Sequence, residues 1–333
     1  MRLRQIFLRG VLAAALLTLN ACSRPEADFT LTLGGDIMLA REGESIFTSH
    51  GVAINPWQLL QEEGVLIEAN VEVPDYFFAN LESPLGENSN QLTDMNLCSH
   101  PDQLKVLVES GVDIVSLANN HRDDCSGDGP AQSKEYLDKE NIQSAIMGAE
   151  ATTLDIPGGS MAVIAAEDIT GSLDLEDLLT AIKNADQHAQ VVVVSMHWGN
   201  EYQAAADERQ QSLAQQIADA GADVIWGHHP HVLQKMEWFE SADGRKVLVI
   251  YSLGNLLADQ WMLEDAKHTA LVRLSFHGNR INKIEIIPLE MNRSMKSLQS
   301  AEGTTLRENI LTRLTASLDR RVGVKMYMKS EMR

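Results

Sequence analysis

Apolar and polar residues alternate along Phe29-Thr30-Leu31-Thr32-Leu33, the period-two pattern of a strand, and Gly34-Gly35 ends it. Phe77-Phe78-Ala79 reads as a second short strand. From Asp102 to Ser110 the apolar positions shift to helical spacing, and Gly111 stands where a helix stop belongs. Val112 to Leu117 is then a strand, Pro130 to Glu140 a helix, Ile142 to Met147 a strand and Met161 to Ala165 another. A helix follows from about Leu175 to Ala185. Val191-Val192-Val193-Val194-Ser195-Met196 is unbroken by alternation, which marks a strand buried on both faces. Asp207 to Ala220 is an amphipathic helix closed by Gly221, and strands follow at Asp223 to Trp226 and Lys246 to Tyr251.

The pattern changes late in the chain. Thr269 to Phe276 and Ile281 to Pro288 flank Gly278-Asn279 as an antiparallel hairpin, and Leu306 to Leu318 is a terminal helix. Strands alternating with helices and then a hairpin predict a mixed α/β core. No linker divides it, so residues 29–295 read as one domain and 296–333 as a C-terminal helical appendage.

The first residues change the compartment. Arg2, Arg4 and Arg9 precede a short apolar run from Val11 to Leu19, which reads as an export signal over residues 1–21. Leu19-Asn20-Ala21-Cys22 has the form of a bacterial lipobox, with lipid on Cys22, a tether over 22–28 and a periplasmic position on the inner or outer membrane of the cell envelope. An ordinary signal peptide with an incidental Cys22 is the alternative. Cys98 and Cys125 remain, and in an oxidising compartment they pair as a candidate disulfide or stay as buried thiols. The net charge of −20 becomes about −23 once three signal arginines are removed. Such a charge excludes nucleic acid as a partner, because phosphate backbones are held by Lys and Arg.

Polar turns follow the apolar runs. Asp36, Glu82, Asn119, Asn120, His121, His197, His228, His229 and His231 all stand just beyond strand-like segments. Carboxylates, amides and imidazoles are ligands of divalent ions, and in open α/β sheets such strand ends converge on one crevice. Two ions roughly 3.5–4 Å apart need a shared carboxylate and several terminal ligands, and this inventory suffices. Strand alternation past Gly227 puts His229 and His231 on one side and His228 on the other. Trp198 is either core packing or a substrate platform, and Glu201 either lines the site or caps the following helix. Asn255, after an apolar run and a glycine, approaches from another strand end.

Together these motifs resemble the CapA family of poly-γ-glutamate capsule biosynthesis proteins. The resemblance rests on Gly35-Asp36-Ile37-Met38, Asn80-Leu81-Glu82-Ser83-Pro84, Asn119-Asn120-His121, His197-Trp198-Gly199-Asn200-Glu201-Tyr202, His228-His229-Pro230-His231 and Ser252-Leu253-Gly254-Asn255, in that order. That family is similar to calcineurin-like metallophosphoesterases, which implies a four-layer α/β/β/α sandwich around two divalent ions of the Mn, Zn, Fe or Mg type. Carried over by position, Asp36, Glu82, Asn120, His197, His229 and His231 are metal ligands, with Glu82 bridging. His121 matches the histidine that serves the leaving group, and Asp124 would orient it. Asn119, Trp198, Glu201, His228 and Asn255 are implied as substrate or supporting residues. Metallophosphoesterases carry a histidine two residues after the first aspartate, and here Met38 takes that place.

The expected function is a metal-dependent hydrolase or transferase acting on a phosphoester or a γ-glutamyl polymer. The alternative is a non-catalytic binding or export factor that grips an anionic cell-surface polymer through its metal.

Overall fold

Two β-sheets lie face to face with helices on their outer surfaces, as seen in a computed structural model that describes residues 28–41, 75–89, 95–292, 297–301, 303–318 and 323–326. The signal segment, Cys22 and the tether up to residue 27 lie outside the described residues.

The first sheet is built on β1 (Asp28–Ile37), β2 (Asp75–Leu81), β3 (Ile114–Ser116) and β4 (Gln143–Ala145), paired in parallel in that order. Helix α1 (Leu104–Ser110) precedes β3, and α2 (Gly129–Lys139) precedes β4. The second sheet has the order β5-β6-β7-β8-β10-β9 among the described residues. Its members are β5 (Thr152–Ile156), β6 (Gly159–Glu167), β7 (Val191–His197), β8 (Val224–His228), β9 (Met236–Glu240) and β10 (Lys246–Ile250). Helices α3 (Leu175–His188) and α4 (Glu208–Ala220) connect its parallel strands β6, β7 and β8. Back on the first sheet, β11 (Asn255–Leu257) pairs with the end of β1. The hairpin of β12 (His268–His277) and β13 (Arg280–Asn292) lies antiparallel beside β1, turning at Gly278 with φ 62°.

Phe29, Leu31, Leu33 and Phe78 of the first sheet pack against Val163, Val193, Trp226 and Ile250 of the second, forming the inter-sheet core. Val191–Val194 are buried on both faces because α3 and α4 cover the other side with Leu178, Ile182, Leu213 and Ile217. Leu104, Leu107 and Leu137 from α1 and α2 cover the outer face of the first sheet. The expected four-layer α/β/β/α sandwich is therefore the observed fold. A cross-sheet hydrogen bond from Trp226 Nε1 to Gly34 O, at 2.8 Å, ties β8 to β1 close to the strand ends.

The C-terminal stretch differs from the expected helical appendage. Its β14 (Ser297–Ser300) and β15 (Gly323–Met326) both pair with β13. Between them α5 (Thr304–Thr315) sends Ile310, Leu311 and Leu314 into the inter-sheet core. Burying three large aliphatic side chains is worth about 1.5–3 kcal/mol each, enough to make the segment part of the sandwich. Strands β5 and β9 are also absent from the sequence reading. Both are edge strands with polar outward positions, so neither offers an apolar run.

Candidate metal centre

In both sheets the parallel strands end at one rim, and the polar turns after β1, β2, β3, β7 and β8 meet there. Asp36 is placed by backbone contact. Its N–H donates to Gly254 O at 2.9 Å, and a Cβ on Gly35 would lie 2.0 Å from the same oxygen, so only glycine fits before it. The side chain of Asn80 donates to Asp36 Oδ1 at 2.8 Å, and His229 N–H donates to Oδ2 at 3.2 Å.

Glu82 is the centre of the arrangement. It is fully buried, and neither of its oxygens has a hydrogen-bond donor among the described residues. Burial pushes its carboxyl up to about 7, with Asp36 adding repulsion and His231 opposing it. A buried carboxylate without donors costs several kcal/mol unless a cation compensates it.

Two groups of ligand atoms share this carboxylate. In the first, Glu82, His197 and His229 place one donor atom each within 4.8 Å of one another. Asn120 Oδ1 joins them, 2.8 Å from His197 Nε2, and His229 Nδ1 is 3.1 Å from the same nitrogen. In the second, Asp36, Glu82 and His231 meet within the same limit. His231 Nε2 lies 3.7 Å from Glu82 Oε1, while its Nδ1 is 3.0 Å from Asn255 Oδ1. Asn255 donates its amide hydrogens to Gln260 and Ala266, so its oxygen is left to accept from His231 Nδ1 and frees Nε2 as a ligand. This ligand chemistry and the donor-less Glu82 fit divalent-cation binding.

The imidazoles are tuned by their surroundings. Burial holds His197 well below the usual histidine range, with His229 adding repulsion. Burial and the nearby His231 bring His229 down to about 4. Burial acts the same way on His231, but Glu82 and Asp36 outweigh it and raise the ring to about 9. Burial would raise Asp36, yet contacts with His228 and His231 hold it well below the usual carboxylate range. Neutral His197 and His229 are ready to coordinate, whereas at His231 a metal must displace a proton.

Most expected site residues assemble here, with corrections in role. His228 does not point away. Its Nδ1 lies 3.3 Å from Asp36 Oδ1, inside the site. Alternation needs extended backbone, and the strand ends at His228. His229 and His231 then take left-handed conformations with φ 93° and 57°. Asn119 is a cap, accepting from His121 N–H at 3.1 Å and donating to Leu81 O at 2.9 Å. Trp198 is fully buried, and its Nε1 donates to Tyr251 O at 3.0 Å behind Gly227. It supports β8 from the core and is not a substrate platform. The cap of α4 is Asp207 in a reciprocal pairing with Gln210, so Glu201 is not the helix cap. Its carboxylate instead lies within 4.8 Å of donor atoms of His229 and His231, at the exposed side.

Beside the ligands, His121 Nδ1 contacts Asp124 Oδ2, and the Cys98–Cys125 disulfide adjoins that pair. Two residues were not singled out in the sequence. Glu167 ends β6 opposite His197, fully buried, and accepts from Arg122 Nη1 and Ser172 Oγ, both at 2.6 Å. Burial works against its charge, but the Ser172 and Thr170 donors prevail and bring it down to about 2. The Arg122–Glu167 pair clasps the Asn120-His121 turn of one sheet to a strand of the other. A polar residue ending an apolar strand was the available signal.

Residues 30–260 match the family model of the bacterial capsule synthesis protein PGA_cap. The chain belongs to this family. It is 29% identical to the PGA biosynthesis protein CapA of Bacillus subtilis (strain 168) over 283 residues, covering 78% of this chain and 70% of the relative. It is 29% identical to the capsule biosynthesis protein CapA of Bacillus anthracis over 312 residues, covering 84% and 71%. Among solved structures, a novel phosphatase of Mycoplasma pneumoniae superposes with a TM-score of 0.51 at 12% identity, covering 81% of this chain and 96% of the other. That likeness is one of fold alone: the PGA_cap sandwich and this phosphatase share their architecture.

Proposed function

We propose that this PGA_cap protein is a divalent-metal-dependent hydrolase or transferase of the bacterial envelope, tethered through lipid on Cys22, that acts on a phosphoester or a γ-glutamyl polymer. The observation that carries the reading is the buried, donor-less Glu82 shared by two sets of ligand atoms. When bound, a divalent pair supplies a water of lowered pKa and neutralises charge that develops at the bond attacked.

The chain's own groups do the rest. Asp36, Glu82 and His231 would hold one ion, and Glu82, Asn120, His197 and His229 would hold the other. Asp124 accepts from His121 Nδ1 at 2.8 Å, which leaves Nε2 to give a proton to the leaving group. The local positive charge also admits an anionic substrate to a chain of net charge −20.

A binding or export factor would need the metal ligands and not His121. The oriented His121–Asp124 pair favours catalysis. The test is His121→Ala assayed with model phosphodiesters and γ-glutamyl peptides after metal content has been measured. Turnover lost with metal retained supports the reading. Turnover at the wild-type rate overturns it.

A further inference from the structure

We propose that Glu201 is a metal ligand, and that it supplies to the Asp36 position the donor that Met38 withholds. The proposal rests on the two-ion reading above. The two positions are unequally furnished. Glu82, Asn120, His197 and His229 give one position four protein donors, whereas Asp36, Glu82 and His231 give the other three. Met38 adds nothing. It is buried among the apolar residues on the helix side of the first sheet, and its N–H is committed to Leu257 O at 2.7 Å.

A third cluster shares His231 with the Asp36 position and His229 with the other. One carboxylate oxygen of Glu201 and one donor atom each of His229 and His231 lie within 4.8 Å of one another. Glu201 is exposed while the other members are buried, so it meets the two imidazoles from the solvent side. Its position is built in. Gly199 turns the chain with φ 80°, and Tyr202 holds φ 61° while its N–H donates to Pro230 O at 2.8 Å. That bond fastens the Glu201 loop onto the His229-Pro230-His231 segment. A tyrosine in the left-handed region is strained, and such strain persists only where surrounding contacts enforce it.

The assignment makes the two positions chemically unlike. Asp36, Glu82, Glu201 and His231 offer three carboxylates and one imidazole, which suits Mn2+ or Mg2+. Glu82, Asn120, His197 and His229 offer two imidazoles, one amide and one carboxylate, which suits Zn2+ or Fe2+.

The experiment is calorimetric titration of metal-stripped protein with Mn2+ alone, with elemental analysis after dialysis, for wild type and Glu201→Gln. Because Glu201 is exposed, the variant should melt with the wild type, which a thermal scan checks. Wild type should bind two ions. Glu201→Gln should keep one and bind the second at least ~10-fold more weakly, a loss that even outer-shell changes produce. His197→Ala should spare the position that Glu201 serves. Two Mn2+ bound by Glu201→Gln at wild-type affinity overturns the assignment and leaves the two-ion reading standing. Fewer than two ions in wild type overturns both.

Discussion

Asp124 Oδ2 lies 2.8 Å from His121 Nδ1 and also accepts the Leu97 N–H at 2.6 Å. The carboxylate is thus fixed from two sides and fixes the imidazole in turn. His121→Ala is expected to abolish turnover with metal content unchanged. Asp124→Asn leaves an oxygen beside the ring but removes the carboxylate that fixes its orientation, so turnover should fall by about 10–100-fold. Paired rate and metal measurements check both. Equal rates in wild type and Asp124→Asn would remove Asp124 from the account.

The disulfide holds the same corner. Cys98 and Cys125 enclose a loop with a sequence separation of 27, and Leu97 and Asp124 sit directly beside them. Loop-closure entropy alone gives such a bridge about 3–4 kcal/mol. The double substitution Cys98→Ser/Cys125→Ser should lower the melting temperature by several degrees, and reductant should do the same to wild type. An unchanged melt under reducing conditions would contradict this.

Gly35→Ala tests the backbone beneath Asp36. The added Cβ would stand 2.0 Å from Gly254 O, which belongs to the segment carrying Asn255. Relief requires β1 and β11 to separate, at about 3 kcal/mol or more. Urea denaturation should show the loss, and the remaining folded protein should bind metal more weakly. A stability within 1 kcal/mol of wild type, by the same surface-substitution yardstick, would show that the strands yield freely.

The chemistry of the centre was legible because it sits where apolar runs stop. Asp36, Glu82, Asn120, His197, His229 and His231 each follow such a run, and the structure brings all six to one rim. His228 was misread because a period-two rule was carried past the end of β8, into backbone with positive φ. Glu167 and Arg122 went unseen because their contact joins residues 45 apart, from different sheets. Strands β14 and β15 went unseen for a related reason. They are short, and their partner β13 decides them through pairing.

Asp223 gives the fold a pH dependence of its own. It precedes β8, accepts the Val192 N–H at 2.8 Å, and burial pushes its carboxyl up to about 7. Because this folded value exceeds the unfolded one, the folded state keeps a proton that the unfolded state has released. Stability from this group is therefore fully present below about pH 4 and is lost as pH rises through about 7. Asp223→Asn retains an acceptor for Val192 and has no charge to bury. With Mn2+ in excess, so that Glu82 stays ionised, the variant should gain on the order of 2 kcal/mol over wild type at pH 8 and nothing at pH 4. Denaturation at the two pH values measures the difference. An equal effect at both would place the cause elsewhere.

The central claim is that Glu82 bridges two cations, and anomalous diffraction from crystals of the protein grown with Mn2+ tests it most directly. The account predicts two peaks that share Glu82, one in contact with His197 and His229 and the other with Asp36 and His231. A single peak, or peaks away from Glu82, would contradict it.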